Sequence, residues 1–141
     1  MRPKKVILCV DDNEQELSVL KFTLITNGYR VLAAANGPEA IAIFSTAPQI
    51  DLVLADTTMP QMSGIQLANR LKRIRSHVPM ILLGDAQAVS GEIHAADAVL
   101  ARKNCSSFEL LERVKVMSAR KRGPRKGAQR IQNEEELAAA S

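Results

Sequence analysis

Short, uninterrupted runs of aliphatic residues recur along this chain, and a segment with helical spacing follows most of them. The runs are Val6–Val10, Val31–Ala34, Leu52–Ala55, Met80–Leu83 and Ala98–Ala101. Continuous apolar runs of this length are typical of strands that are buried on both faces. Strands that alternate with helices predict a parallel sheet covered by helices on both sides. We therefore expect an α/β protein, a doubly wound (βα)5 unit with five parallel strands in the order 2-1-3-4-5.

Capping residues and apolar spacing predict where the helices begin and which faces they bury. The residues expected at the starts of the first, second, third and last helices are Asn13, Pro38, Gly64, and Ser106 or Ser107. A short fourth helix is expected over about Ser90–Ala96, where the apolar pattern is weakest. The residues expected to face inward are Leu17, Leu20, Leu24 and one of Phe22 and Ile25; Ala40, Ile41, Ile43 and Phe44; Ile65, Leu67, Leu71 and Ile74; and Phe108, Leu110, Leu111, Val114 and Met117. The basic residues of the third helix that are expected to face solvent are Arg70, Lys72, Arg73 and Arg75.

Length and charge divide the chain into one domain and a tail. We assign residues 1–120 to a single domain and residues 121–141 to a basic, then acidic, tail that is expected to be disordered. The formal net charge is +4, and residues 119–141 carry six Lys or Arg against three Glu. The basic character is therefore a property of the tail, which lacks interleaved aromatic residues, so that DNA binding is not expected.

Hydropathy and cysteine usage favour a cytoplasmic protein that does not enter the membrane. No apolar run approaches the roughly 20 residues that a membrane span needs. The apolar run that begins at Val6 is interrupted by Asp11 before it reaches the length of a signal peptide. Cys9 lies in a strand pattern and is expected to be a small buried hydrophobe, and its spacing from Cys105 does not suit a metal site.

Carboxylates follow two of the predicted strands at the points where those strands end. Asp11 and Asp12 follow the first apolar run, and Asp56 follows the third. If the strand order is 2-1-3-4-5, the three side chains converge at the carboxyl edge of the sheet, where open α/β sheets bind ligands. Their mutual repulsion must be offset, and hard oxygen ligands suit Mg²⁺. An ionised aspartate beside such an ion is a candidate nucleophile towards phosphorus.

Arg102 and Lys103 follow the fifth predicted strand and are placed to supply a cation at the same edge. A cation there would neutralise charge on a phosphoryl group. Lys103 is slightly favoured, because a compact ammonium suits a point contact with phosphate, but Arg102 remains an alternative.

These motifs together resemble the receiver domain of two-component response regulators. The resemblance rests on Val10–Asp12, Asp51–Asp56, Met59-Pro60 with Gly64, and Ala96–Leu100 before a basic residue. It implies a flavodoxin-like fold and covers residues 4 to about 118.

The resemblance implies that Asp56 is the phosphoacceptor for a histidine kinase or a histidine phosphotransfer protein. It further implies that Mg²⁺ is bound by Asp11, Asp12, Asp56 and the backbone carbonyl of Thr58, and that a downstream protein partner receives the signal. The expected protein is a stand-alone receiver, a monomer or weak homodimer, and a signalling phosphoacceptor rather than an enzyme.

Two positions depart from the family's pattern. Gly84 stands where a Thr or Ser is usual at the end of the fourth strand, and Val99 stands where an aromatic residue is usual in the fifth. Because these are the family's switch positions, a binding module that does not depend on phosphorylation is the alternative. A phosphatase-like enzyme is disfavoured, because Thr58 stands where a second acid would be needed and no GxxxxGK loop is present.

Overall fold

The computed structural model describes residues 4–84, 97–100 and 106–119. Its elements in chain order are β1 Val6–Val10, α1 Glu14–Thr26, β2 Arg30–Ala34, α2 Gly37–Thr46, β3 Leu52–Asp56, α3 Gly64–Ile74, β4 Met80–Leu83, β5 Ala98–Leu100 and α4 Ser107–Ser118. The short helix expected near residues 90–96 and the tail at 121–141 lie outside these ranges.

Within the described residues, the strands form one parallel five-stranded sheet in the order β2-β1-β3-β4-β5. The predicted strand order and fold class are confirmed. The three central strands are almost wholly buried, whereas the edge strands β2 and β5 are mostly half-buried. This distribution explains why the central runs are continuously apolar.

Alternating side chains of the central strands enter two separate hydrophobic layers. Val10, Val53 and Leu82 pack on one side against α2 and α3, including Phe44 and Leu67. On the other side, the sheet packs against α1 and α4. The residues of this second layer include Ile7, Cys9, Leu54, Ile81, Leu20, Leu24, Leu110, Val114 and Met117. The sheet is thus covered on both faces, as the alternation of strands and helices predicts.

Local capping sets the starts of the helices. Asn13 accepts a 3.0 Å hydrogen bond from the backbone N–H of Glu16 at the start of α1. Ser106, rather than Ser107, caps α4 in a reciprocal arrangement with Glu109. These bonds satisfy backbone N–H groups that have no partner within the helix.

Several helical residues expected to face inward are exposed. Phe22 is 70% exposed and Ile25 50%, so neither completes the buried face of α1. Ile74 and Phe108 are also exposed, at 43% and 71%. Helical spacing predicted that these residues face the core. The buried face of each helix is narrower than its set of apolar residues, so the residues at the margin are exposed.

Two of the basic residues in α3 and at its C-terminal cap make contacts within the protein. Arg75 donates a 2.7 Å hydrogen bond to the carbonyl of Ala47, and its guanidinium lies 5.2 Å from the ring centroid of Phe44. Lys72 forms an ion pair with Asp97. The prediction that all four basic residues face solvent is therefore wrong for Arg75 and Lys72, which connect α3 to α2 and to the sheet. None of the described helices is long and apolar enough to cross a membrane.

Candidate functional site

Three carboxylates meet where the order of the strands reverses. Asp11 follows β1 directly, Asp12 comes next, and Asp56 is the last residue of β3, which lies beside β1. One carboxylate oxygen of each residue lies within 4.8 Å of those of the other two. Asp11 is buried, Asp56 is half-buried and Asp12 is exposed. The structure confirms the prediction that these three side chains converge at the carboxyl edge of the sheet.

Backbone contacts hold Asp11 in place. Its N–H donates to the carbonyl of Ala34 at 3.1 Å, which extends the pairing of β1 with β2 by one residue. One of its carboxylate oxygens accepts a 3.0 Å hydrogen bond from the N–H of Asn13. Asp11 is therefore oriented by the turn into α1, while Asp12 remains open to solvent.

The loop after Asp56 is closed by contacts at both ends. The N–H of Thr57 donates to the carbonyl of Leu83 at 3.0 Å, and the carbonyl of Thr57 accepts from the N–H of Gly64, also at 3.0 Å. Met59 is buried in the core between these ends. Thr58, whose carbonyl is the predicted fourth metal ligand, is exposed at the same edge.

Gly64 is required by the close approach of α3 to this loop. A Cβ at this position would collide with the carbonyl oxygen of Asp56 and would lie 3.0 Å from the Cα of Thr57. Both neighbours are backbone atoms and cannot rotate away. The residue that begins α3 thus also determines how near the helix comes to Asp56.

The two switch positions differ in their surroundings. Gly84 has a positive φ of 154°, and a Cβ added to it would overlap the hydroxyl of Thr57. Val99 is half-buried, pairs with Leu82 and packs against the hydrophobic layer on the α2 and α3 side. The absence of a side chain at Gly84 is therefore matched by a side chain on the neighbouring strand. Arg102, Lys103 and Asp85 lie outside the described residues, so their positions stay predictions.

Cys9 is a free thiol in the hydrophobic layer on the α1 and α4 side. Burial raises the pKa of this thiol to about 12, and the negative charge of Asp11 adds to the increase. A thiol with so high a pKa is a poor nucleophile at neutral pH. Cys9 is therefore structural, as predicted.

The donor set fits a hard divalent cation. Three carboxylate oxygens lie close enough to share one ion, and the exposed side of Asp12 leaves space for water. Mg²⁺ takes one or two carboxylates and keeps several waters, which it exchanges for phosphate oxygens. The three carboxylates are the side chains that would hold it, and the carbonyl of Thr58 stays a predicted ligand.

Comparison with known proteins identifies the class of protein. The family model described as "Response regulator receiver domain" matches residues 7–115. The chain belongs to the response regulator receiver domain family.

Individual relatives agree with this assignment. A "Probable transcriptional regulator ycf27" of Cyanophora paradoxa is 36% identical over 126 residues, covering 86% of this chain and 51% of that protein. A crystal structure of the response regulator protein TrrA from Thermotoga maritima, in complex with Mg²⁺ and BeF, is 33% identical with a TM-score of 0.73. The match covers 80% of this chain and 98% of that one. A receiver domain from Clostridium thermocellum is 29% identical with a TM-score of 0.73, covering 81% of this chain and 94% of that one.

The chain spans only part of its curated relatives. It covers 51% of the Cyanophora protein and 32% of the regulator PhoP of Bacillus subtilis. The shared part is the receiver domain, so the activity of the complete relatives does not transfer to this chain by similarity.

The residue that sequence reasoning missed at the site is Thr57. It is 6% exposed and lies between Asp56, Gly84 and the start of α3. Counting from the predicted strand starts does not find this pair, because aligning Leu52 with Met80 places Asp56, and not Thr57, opposite Gly84. In the observed register Val53 lies opposite Met80, one residue further along β3. How closely the side chain of Thr57 approaches Gly84 depends on backbone positions at the scale of an ångström, which a sequence pattern does not give.

Proposed function

We propose that this chain accepts a phosphoryl group on the carboxylate of Asp56 from a histidine kinase or a histidine phosphotransfer protein. The signal then passes to a downstream protein partner. The observation that carries the proposal is the grouping of Asp11, Asp12 and Asp56 within 4.8 Å at the switch point of the sheet. The family assignment supports the same reading.

The reaction transfers a phosphoryl group from a histidine nitrogen of the donor to a carboxylate oxygen of Asp56. A carboxylate oxygen of Asp56 attacks the phosphorus of a phosphohistidine, the new P–O bond forms and the P–N bond breaks. The electron pair of the P–N bond stays on the imidazole nitrogen, which takes up a proton from solvent. Mg²⁺ held by the acidic cluster would neutralise charge on the phosphoryl oxygens.

The residues of this chain have separate roles in that step. Asp56 is half-buried at the end of β3, so it presents an oxygen to solvent while the buried strand holds its backbone. Asp11 is fixed by its backbone contacts, and Asp12 is exposed on the side from which a donor would approach. We assign to Lys103, or alternatively to Arg102, the positive charge that contacts the phosphoryl group. The chain acts as a phosphoacceptor and not as an enzyme with a separate substrate.

We infer that the phosphodonor docks on an exposed apolar stripe of α1. Val19 and Phe22 lie one turn apart and are 63% and 70% exposed. Val19 also lines a cavity of about 120 Å³ with Ser107 and Leu83. Leu83 pairs in register with Asp56, so the stripe and the acceptor border the same edge of the sheet. Exposed apolar patches of this kind mark protein interaction sites.

A binding module that acts without phosphorylation is the second candidate. It is favoured by Gly84, which has no side chain with which to contact a phosphoryl group. Under this candidate, the conformation at the end of β4 would be the same with and without a group on Asp56.

The test is to incubate the protein with acetyl phosphate and Mg²⁺ and to measure its intact mass. We expect the wild type to gain one phosphoryl group and Asp56→Asn to gain none. Omission of Mg²⁺ should suppress the gain. A wild type that gains nothing, or an equal gain in Asp56→Asn, would overturn the proposal. Steady turnover of phosphate esters would instead indicate a phosphatase.

A further inference from the structure

Thr57 lies opposite Gly84 at the carboxyl edge of the sheet. The pairing of β3 with β4 runs in register to Asp56 and Leu83, and the N–H of Thr57 continues it by donating to the carbonyl of Leu83. Thr57 is therefore the next residue after the phosphoacceptor, and Gly84 is the next residue on the neighbouring strand. Thr57 is 6% exposed, so its side chain is enclosed.

The side chain of Thr57 occupies the space that a side chain of residue 84 would need. A Cβ on Gly84 would overlap the hydroxyl oxygen Oγ1 of Thr57 and would lie 3.0 Å from both its Cβ and Cγ2. Gly84 also has a φ of 154°, a conformation that L side chains rarely adopt. Thr57 and Gly84 are thus a matched pair, in which the residue after β3 supplies the side chain and the residue after β4 has none.

The hydroxyl is the part of Thr57 that faces Gly84. Oγ1 is nearer than Cβ or Cγ2 to the position of the absent side chain. A phosphoryl group brings three strong acceptor oxygens, and a threonine hydroxyl is a donor that rotates to suit its partner. Thr57 is the hydroxyl-bearing residue directly after Asp56, and it is buried, whereas the next residue, Thr58, is exposed.

Thr57 is also connected to the elements that surround the site. Its N–H is bonded to the end of β4 and its carbonyl to the start of α3. A rotation of its side chain therefore changes a contact at Gly84 while the backbone stays anchored at two points.

We propose that the hydroxyl of Thr57 donates a hydrogen bond to the phosphoryl group on Asp56, and that this movement transmits phosphorylation to Gly84 at the end of β4. The inference rests on the proposed function of Asp56. In the unphosphorylated protein, Oγ1 packs against Gly84. When it turns towards the phosphoryl oxygens it leaves Gly84, and the backbone at the end of β4 is released from this contact.

The experiment compares Thr57→Val, which keeps the shape and removes the hydroxyl, with Thr57→Ser, which keeps the hydroxyl. Each protein is saturated with beryllofluoride and Mg²⁺ as a stand-in for the phosphoryl group, and amide chemical shifts are recorded. Wild type and Thr57→Ser should show shift changes at Gly84 and at Leu100, whose carbonyl accepts from the N–H of Gly84. Thr57→Val should lose these changes even when it is saturated with beryllofluoride and Mg²⁺.

Gly84→Ala provides an independent arm. Its Cβ would displace the Thr57 side chain, so it should also lose the shift response although the hydroxyl is present. If Thr57→Val does not fold, as judged by circular dichroism, Thr57→Ala takes its place, because it removes the hydroxyl without adding an atom.

The outcomes separate the two proposals. A wild type that gains no phosphoryl group overturns the function of Asp56 and this inference with it. A wild type that gains the group but shows no shift at Gly84, or a Thr57→Val variant that responds like the wild type, overturns the inference alone.

Discussion

The carboxylate of Asp97 joins Lys72 of α3 to the first residue of β4. One oxygen of Asp97 lies 3.1 Å from the ammonium of Lys72 and accepts a 2.8 Å hydrogen bond from the N–H of Met80. The N–H of Asp97 donates in turn to the carbonyl of Met80 at 2.8 Å. Lys72 also donates to the carbonyl of Val78 at 2.9 Å. The contacts connect α3, β4 and the start of β5 at the edge of the sheet opposite Asp56.

Removal of Asp97 should destabilise the protein more than removal of Lys72. Asp97→Ala leaves the part-buried N–H of Met80 without its carboxylate acceptor, which we expect to cost about 1–3 kcal/mol. Lys72→Met loses the ion pair that Asp97→Ala also loses, whose two side chains are partly exposed, at 22% and 29%, and exposed pairs are worth about 0–1 kcal/mol. It also loses the hydrogen bond to the carbonyl of Val78, a net contribution of about 0.5–1.5 kcal/mol. Urea denaturation of both variants measures the difference. A greater loss in Lys72→Met would contradict the ranking.

Gly64→Ala should cost both stability and phosphoryl acceptance, because the new methyl group would collide with the backbone of Asp56 and Thr57. We expect a loss of about 1–3 kcal/mol, as for overpacking, and a slower mass gain with acetyl phosphate. Gly37→Ala is the matched control, since Gly37 also begins a helix but its Cβ would meet side-chain atoms of Met62, Sδ at 2.7 Å and Cβ at 2.9 Å, and no backbone atom of the Asp56 loop. Equal effects of the two substitutions would show that the approach of α3 to Asp56 is not what Gly64 provides.

The stability of the protein should fall at alkaline pH through Cys9. The thiol has an ordinary pKa of 9.0 and a pKa of about 12 in the folded protein. Below pH 9 the thiol is protonated in both states, so its contribution is fully present. Between about pH 9 and 12 only the unfolded chain releases the proton, and the free energy of unfolding falls by at most about 1.4 kcal/mol per pH unit.

The measurement is urea denaturation from pH 8 to pH 10.5 in reductant, for wild type and Cys9→Ala. The wild type should lose stability more steeply than the variant above pH 9, because other ionisations are shared by both proteins. Parallel pH profiles would show that the thiol does not remain protonated in the folded state.

Val19→Ser and Phe22→Ser should slow phosphotransfer from the protein donor and leave the reaction with acetyl phosphate unchanged. Both side chains are exposed, so the free energy of unfolding should change by no more than about 0.5 kcal/mol. Val116→Ser is the control, because Val116 is also exposed, at 59%, but lies on α4 and not on the α1 stripe. Equal slowing with the small-molecule donor would place the effect at Asp56 and contradict a docking role.

Strand positions and the acidic cluster were predictable from sequence for the same physical reason. Central strands such as β3 are buried on both faces, so they read as continuous apolar runs, and the residue at which the run ends is the residue at the sheet edge. Parallel strands bring those ends together, and Asp11, Asp12 and Asp56 therefore meet.

Helix faces were less predictable, because an apolar side chain is compatible with both a core and an exposed surface. Phe22 and Phe108 have the spacing of buried residues, yet both are exposed. Arg75 looked like a solvated charge, but its position beside Phe44 and the carbonyl of Ala47 depends on how α2 and α3 pack. The contact between Thr57 and Gly84 was also not predictable, because it depends on the distance between two neighbouring strands.

We propose that Asp56, and no other carboxylate of the chain, carries the phosphoryl group. The most direct measurement is to phosphorylate the protein with acetyl phosphate and Mg²⁺, reduce the acyl phosphate with borohydride and sequence the peptides by mass spectrometry. We expect homoserine at position 56 and unmodified aspartate at Asp11 and Asp12. Homoserine at Asp11 or Asp12, or none in any peptide that spans Asp56, would contradict it.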